Sequence, residues 1–152
     1  MKILTLTLHY IDNCGSCLQA YALQRFLLQN GYDTELLDYR PQYLINNGRP
    51  FKHFIKNIVF GKKMKARWKV FDEFLLYYKL TDRTYKNYSE LIKHPPKADA
   101  YIVGSDQIWN RSFPCGRDEA YYLSFVKEGK KFLPILIIGL IKQWLDTMEL
   151  SR

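Results

Sequence analysis

No hydrophobic stretch in this 152-residue sequence is long enough to cross a bilayer. The apolar run at 132–141 is broken by Pro134 and Gly139 and covers half of the roughly twenty residues that a span needs. Met1-Lys2-Ile3-Leu4-Thr5 lacks the apolar core and small-residue cleavage site of a secretory signal. Cysteine is scarce and odd in number, at 3, which gives no disulfide framework and points to a reducing, cytoplasmic setting. Glycine is missing where a dinucleotide fingerprint needs it. The loop after the first predicted strand holds only Gly15, so Asp38, at the end of the second predicted strand, reads as a turn or cap residue rather than a ribose ligand. No internal repeat and no low-complexity linker divides the chain. Acidic residues are outnumbered, 15 Asp+Glu against 23 Lys+Arg, for a net charge of +8. That balance favours anionic partners without choosing among polymers, membrane surfaces and phosphoesters. No motif points to nucleic acid, and association with the inner face of a membrane stays open.

What is present suits one globular domain with a real core: 47% of residues are hydrophobic and 25% charged. Aromatics reach 16%, with 12 Tyr and 9 Phe. Tyrosine is flat and amphipathic, so this richness fits either sugar-binding surfaces or a tyrosine-filled core.

The hydrophobic pattern predicts a buried strand over 2–8, where Ile3, Leu4, Leu6 and Leu8 surround β-branched Thr5 and Thr7. Asp12, Asn13 and Gly15 then mark a turn. A helix is predicted over 16–30, with Leu18, Ala22 and Phe26, and Leu23 and Leu27, forming the apolar face and Gln19, Gln24, Arg25 and Gln29 away from it. Gly31 stands where a left-handed C-terminal cap is needed. A second strand over 34–39 closes at Arg40-Pro41. Strand, helix and strand in some forty residues make a βαβ unit and hence a parallel sheet. Helices are predicted over 51–60 and 64–79, the second with Trp68, Phe71, Leu75 and Tyr78 as its stripe. The lysine-rich sequence there, including Lys52, Lys56, Lys65 and Lys69, reads as a solvated face or a contact for an acidic surface. Ser89 is expected to cap a short helix ending before Pro95-Pro96. Ala100-Tyr101-Ile102-Val103 reads as another buried strand.

Two loops carry the chemistry, and both follow strands. Open α/β sheets bind ligands at their carboxyl edge, where helix N-termini and free amides point. The first loop, His9 to Ser16, offers His9, Asn13 and Gly15 and leads to Gln19 on the helix. The second, Gly104-Ser105-Asp106-Gln107-Ile108-Trp109-Asn110, offers polar side chains for hydroxyls and Trp109 as a flat face for a sugar ring. His9 suits an acceptor hydroxyl or a base, or equally a structural hydrogen bond. Asp106 suits orienting an acceptor hydroxyl or capping the next turn. Cys14 and Cys17 form a Cys-x-x-Cys at a helix start, where thiol–disulfide proteins hold a reactive thiolate. No Trp precedes it, and too few further ligands lie nearby for a metal.

Asn13-x-Gly15-x-x-Leu18-Gln19-Ala20-Tyr21-Ala22-Leu23-Gln24 resembles the opening signature of the polysaccharide pyruvyl transferase family. Val103-Gly104-Ser105-Asp106-Gln107-Ile108-Trp109-Asn110 is similar to its second signature, and Asp38-Tyr39-Arg40-Pro41 and Phe71-Asp72-Glu73-Phe74 also fit. The resemblance implies a Rossmann-like parallel sheet forming the N-terminal half of a glycosyltransferase-B-like pair of domains. It implies transfer of pyruvyl from phosphoenolpyruvate to two hydroxyls of a cell-surface sugar, with no cofactor. By that likeness Asn13, Gly15, Gln19, Gly104, Ser105, Gln107 and Trp109 line the acceptor side, with His9 and Asp106 as candidate catalytic groups. The donor is held by a second domain that this chain is expected to lack. Residues 1–131 carry the likeness. The apolar tail at 132–152 departs from it, which suggests a truncated or frame-shifted product, inactive alone or a sugar-binding remnant.

Overall fold

The computed structural model describes residues 1–11, 13–47, 69–70, 72–104 and 107–132. At its centre lie four strands: β1 (Lys2–Leu6), β2 (Asp33–Leu36), β3 (Ala100–Val103) and β4 (Lys130–Phe132). They stand in the order β2-β1-β3-β4, and every pairing is parallel. The helices are α1 (Cys14–Gln29), α2 (Gln42–Asn47) and α3 (Tyr88–Lys93). Short 3-10 turns occupy Leu75–Tyr77, Gln107–Trp109, Pro114–Arg117 and Glu119–Tyr122. This is the α/β, parallel-sheet architecture that the βαβ pattern predicts.

Alternation along the strands sorts the core into two layers, because successive side chains point to opposite faces. Ile3, Ala100 and Ile102 meet Leu23 and Leu27 of α1 on one face. Leu4, Leu6, Leu8, Tyr101 and Val103 pack on the other face against Leu91 of α3 and Ile108, Tyr121 and Phe125. All four residues of β3 are buried, as expected of a strand covered on both sides.

Helix α1 starts earlier than its apolar pattern predicts, because Asn13 caps it. The Asn13 side chain accepts from the backbone N–H groups of Gly15 (2.9 Å) and Ser16 (3.3 Å), two of the donors a helix start leaves open. Its end follows the expected glycine. Gly31 has φ of 79°, and the N–H groups of Gly31 and Tyr32 return to the carbonyls of Leu28 and Leu27, a Schellman closure.

The buried face of α1 is rotated from the predicted one. Cys17, Ala20, Leu23, Gln24 and Leu27 are buried, whereas Leu18 is 58% exposed and Ala22 also faces solvent. The reason is polar. The Gln24 amide donates to the Lys79 carbonyl (2.8 Å) and accepts from the Lys79 N–H (2.9 Å), as a neighbouring strand would. Residues 79–81 in turn bond to Leu36, and parallel bridges join Leu36 to Leu80 and Tyr39 to Tyr85, so this strip lies beside β2.

Other boundaries shift for local reasons. Strands β1 and β2 stop at Leu6 and Leu36, before the predicted Leu8 and Tyr39. The helix predicted over 64–79 tightens into the 3-10 turn at Leu75–Tyr77, and Tyr78 is already extended. Within its stripe Tyr78 is buried and Leu75 half-buried, while Trp68 and Phe71 lie outside the described residues. The cap of α3 is Asn87, whose side chain accepts from the Glu90 N–H (3.0 Å); Ser89 lies inside the helix. The helix predicted over 51–60 and the tail at 133–152 lie outside the described residues; β4 includes Phe132. Among the described residues, no helix is long and apolar enough to cross a membrane.

If the Gln24 amide aligns the 79–81 strip, Gln24→Leu strands one backbone donor and one acceptor. The expected loss is about 1–3 kcal/mol of stability, read as a lower urea midpoint. An unchanged midpoint would refute this role.

Candidate functional site

From β1 the chain crosses to β2 on one side, then returns to place β3 on the other. The order in which strands are added therefore reverses between β1 and β3, where open α/β sheets hold a crevice at their carboxyl ends. Both predicted loops leave from that edge, because β1 and β3 are parallel, with Leu6 opposite Val103. Gly15 in the first turn of α1 and Gly104 just after β3 thus belong to one rim.

Gly104 is held tightly there. Its N–H donates to the Leu6 carbonyl (2.7 Å), and a Cβ at this position would lie 2.5 Å from Thr7 Oγ1 and 2.6 Å from Thr7 Cβ. The same point is 3.5 Å from Gln19 Nε2, so Thr7, Gln19 and Gly104 converge between the sheet and α1. Thr7 Oγ1 is buried with no hydrogen-bond partner among the described residues. Asn13 and Gly15 lie exposed at the start of α1 as cap and capped residue. Trp109 is half-buried, and its indole N–H donates to the Tyr121 carbonyl (3.1 Å), which fixes the ring against the core. Gln107 opens a 3-10 turn, but its side chain, like Ser105 and Asp106, lies outside the described residues.

His9 sits inward from the rim, 1% exposed. Its Nδ1 lies 3.2 Å from the Thr7 carbonyl and its Nε2 3.0 Å from Asp38 Oδ1. Both contacts tie the ring to neighbours inside the core. The ring thus makes the structural contacts that the sequence allows it, whatever part it takes in catalysis. Asp38 is the hub. Its Oδ1 also accepts from Arg40 Nε (2.5 Å) and its Oδ2 from Thr84 Oγ1 (2.6 Å). Burial raises the Asp38 carboxyl, but hydrogen bonds from His9, Arg40 and Thr84 outweigh it and hold the pKa at about 2. Arg40 lies over the Tyr10 ring at 4.3 Å, so the acid anchors the first loop through two residues.

Cys14 is exposed at the start of α1, whereas Cys17 is buried with Sγ 3.8 Å from the His9 carbonyl and 3.7 Å from that of Ile11. No disulfide joins them. Among the described residues no group of three His, Cys, Asp or Glu is placed to hold a metal ion.

The family model for polysaccharide pyruvyl transferase matches the chain over residues 13–139. The chain belongs to the polysaccharide pyruvyl transferase family. The match begins at the helix-capping Asn13 and takes in α1, β3 and β4. No curated protein and no solved structure matches the chain.

Sequence reasoning missed a second feature of this pyruvyl transferase family chain, a cavity of about 350 Å³ beyond the end of β2. Asp118 is set in its wall. The hydroxyls of Tyr39 and Tyr43 both donate to Asp118 Oδ2 at 2.6 Å, and the Ala120 N–H donates to Oδ1 at 2.9 Å. Burial, with the adjacent carboxylate, pushes both phenols well above the ordinary tyrosine range. Tyr121, fully buried, meets Tyr39 edge-on at 5.7 Å. The available signal was Asp38-Tyr39-Arg40-Pro41, a polar stretch directly after a strand. Its partners at 84 and 118 are distant in sequence.

Two outcomes follow from this geometry. Gly104→Ala forces a methyl group onto Thr7 and is expected to cost about 1–3 kcal/mol, seen as a lower melting temperature; unchanged melting would contradict the close approach. Asp38 has a depressed carboxyl in the folded state, so its stabilisation is present above the ordinary carboxylate pKa and lost as pH falls towards 2. Acidification from pH 5 to 2 should remove about 2 kcal/mol more from the wild type than from Asp38→Asn. Parallel stability–pH curves for the two proteins would rule this out.

Proposed function

We propose that this chain forms the acceptor side of an enzyme that transfers pyruvyl from phosphoenolpyruvate to a sugar of a cell-surface polysaccharide. Membership of the polysaccharide pyruvyl transferase family supports the chemistry. The observation that carries the placement is the shared rim: the two signature loops leave the same edge of the sheet at its reversal point. On this reading the sheet is one half of a glycosyltransferase-B-like pair, and a facing second domain binds the phosphate and carboxylate of the donor. Residues 1–131 supply the acceptor half.

The roles divide by position. Gly104 lets backbone approach the acceptor closely, and Gln19 reaches the same crevice from α1. Asn13 and Gly15 present the capped start of α1 to the rim. Trp109, fixed through its indole N–H, offers the remaining part of its ring to a sugar. Ser105, Asp106 and Gln107 supply polar groups to acceptor hydroxyls, with Asp106 the candidate to orient the attacking oxygen. His9, engaged at both ring nitrogens, serves this site by fixing the loop with Asp38 and Arg40.

Ketal formation needs donors for the phosphate and carboxylate, and an acid to protonate the enol carbon. On this reading these groups belong to the facing domain, so residues 1–131 expressed alone should consume no phosphoenolpyruvate in the presence of sugar acceptors. Deletion of the gene should remove acid-labile pyruvate from the cell-surface polysaccharide. Turnover by residues 1–131 alone would overturn the division of labour. Unchanged pyruvate content after deletion would overturn the function itself.

A further inference from the structure

The cavity beyond β2 shares no lining residue with the cluster of Thr7, Gln19 and Gly104, and no role in pyruvyl transfer accounts for it. At about 350 Å³ it lies near the small end of ligand sites, which run from roughly 300 to 1,000 Å³. Its walls combine two kinds of surface. Pro41, Tyr43, Tyr88 and Pro114 give flat apolar area, while Gln42, Lys86 and Arg117 give hydrogen-bond donors.

The charges in the wall are unequally satisfied. Asp118, the one acid among the described residues of the lining, already accepts from two tyrosine hydroxyls and a backbone N–H. Those bonds occupy its oxygens, and within the described lining the two cations Lys86 and Arg117 outnumber it. Lys86 and Arg117 are exposed, and neither is held in an ion pair among the described residues. A ligand meeting this surface needs an anionic, acceptor-rich group for the two cations and a flat apolar face for the ring-lined wall. A pyranose carrying a carboxylate has both. A neutral sugar lacks the first, and a bare inorganic anion lacks the second.

We propose that the cavity formed by the starts of α2 and α3 and the turn at Pro114–Arg117 binds an acidic sugar unit, its carboxylate on Lys86 and Arg117. The inference does not depend on pyruvyl transfer, since binding here needs no reaction.

The test is calorimetric titration of the whole chain with D-glucuronate, D-glucose and inorganic phosphate, repeated on Lys86→Ala with Arg117→Ala. Glucuronate should bind at least about tenfold more tightly than glucose, and the double variant should lose about tenfold or more of that affinity. Phosphate at equal concentration should not displace glucuronate. Melting curves establish that the variant is folded, and Arg117→Gln, which keeps side-chain bulk, should weaken glucuronate in the same direction. Equal affinity for glucuronate and glucose would overturn the proposal, as would displacement by phosphate, unchanged binding in both variants, or no glucuronate binding.

Discussion

The close approach of β3 to β1 constrains everything at the carboxyl edge. Leu6 and Val103 are register partners, and the next residues, Thr7 and Gly104, meet with no room for a Cβ. Because β1 is paired on both sides, it cannot move to relieve a larger residue at 104. The fit fixes where β3 ends and where the second loop starts. It also brings that loop against α1 through Gln19. A site built on this edge is therefore anchored directly to the strands, which makes it rigid.

The first loop is secured differently, by charge. Asp38 follows β2, yet its carboxylate reaches His9 just after β1, Arg40 stacked over the Tyr10 ring and Thr84 on the neighbouring strip. A buried acid with three donors is satisfied, and removing any donor would leave part of that charge unanswered. The loop after β1 thus takes its shape from β2. Sterics set one loop of the rim and electrostatics the other.

Local signals made much of this fold legible. The apolar and β-branched runs over 2–8 and Ala100–Val103 located the central strands, and Gly31 marked the end of α1, whose start fell two residues late because Asn13 reads as a turn residue before it reads as a cap. The buried face of α1 was not legible, because Gln24 looks like a surface residue until Lys79 is known to be its partner. Leu18 misled in the opposite direction: it keeps helical spacing with the apolar set but faces solvent. Within the candidate site, the two loops and their common edge follow from strand order, which the βαβ pattern already implies. The Asp38 and Asp118 clusters depend on contacts across 29 to 79 residues, and no local pattern encodes them.

The strip alongside β2 has a bearing on solubility. A sheet margin with open N–H and C=O groups invites a strand from another molecule, and proteins blunt such margins with short, irregular or charged segments. Here residues 79–85 touch β2 and its extension at two isolated bridges, are aligned by a glutamine amide, and carry Asp82 and Arg83 outward. That side of the sheet is shielded without adding a regular strand whose own free margin would need protection in turn.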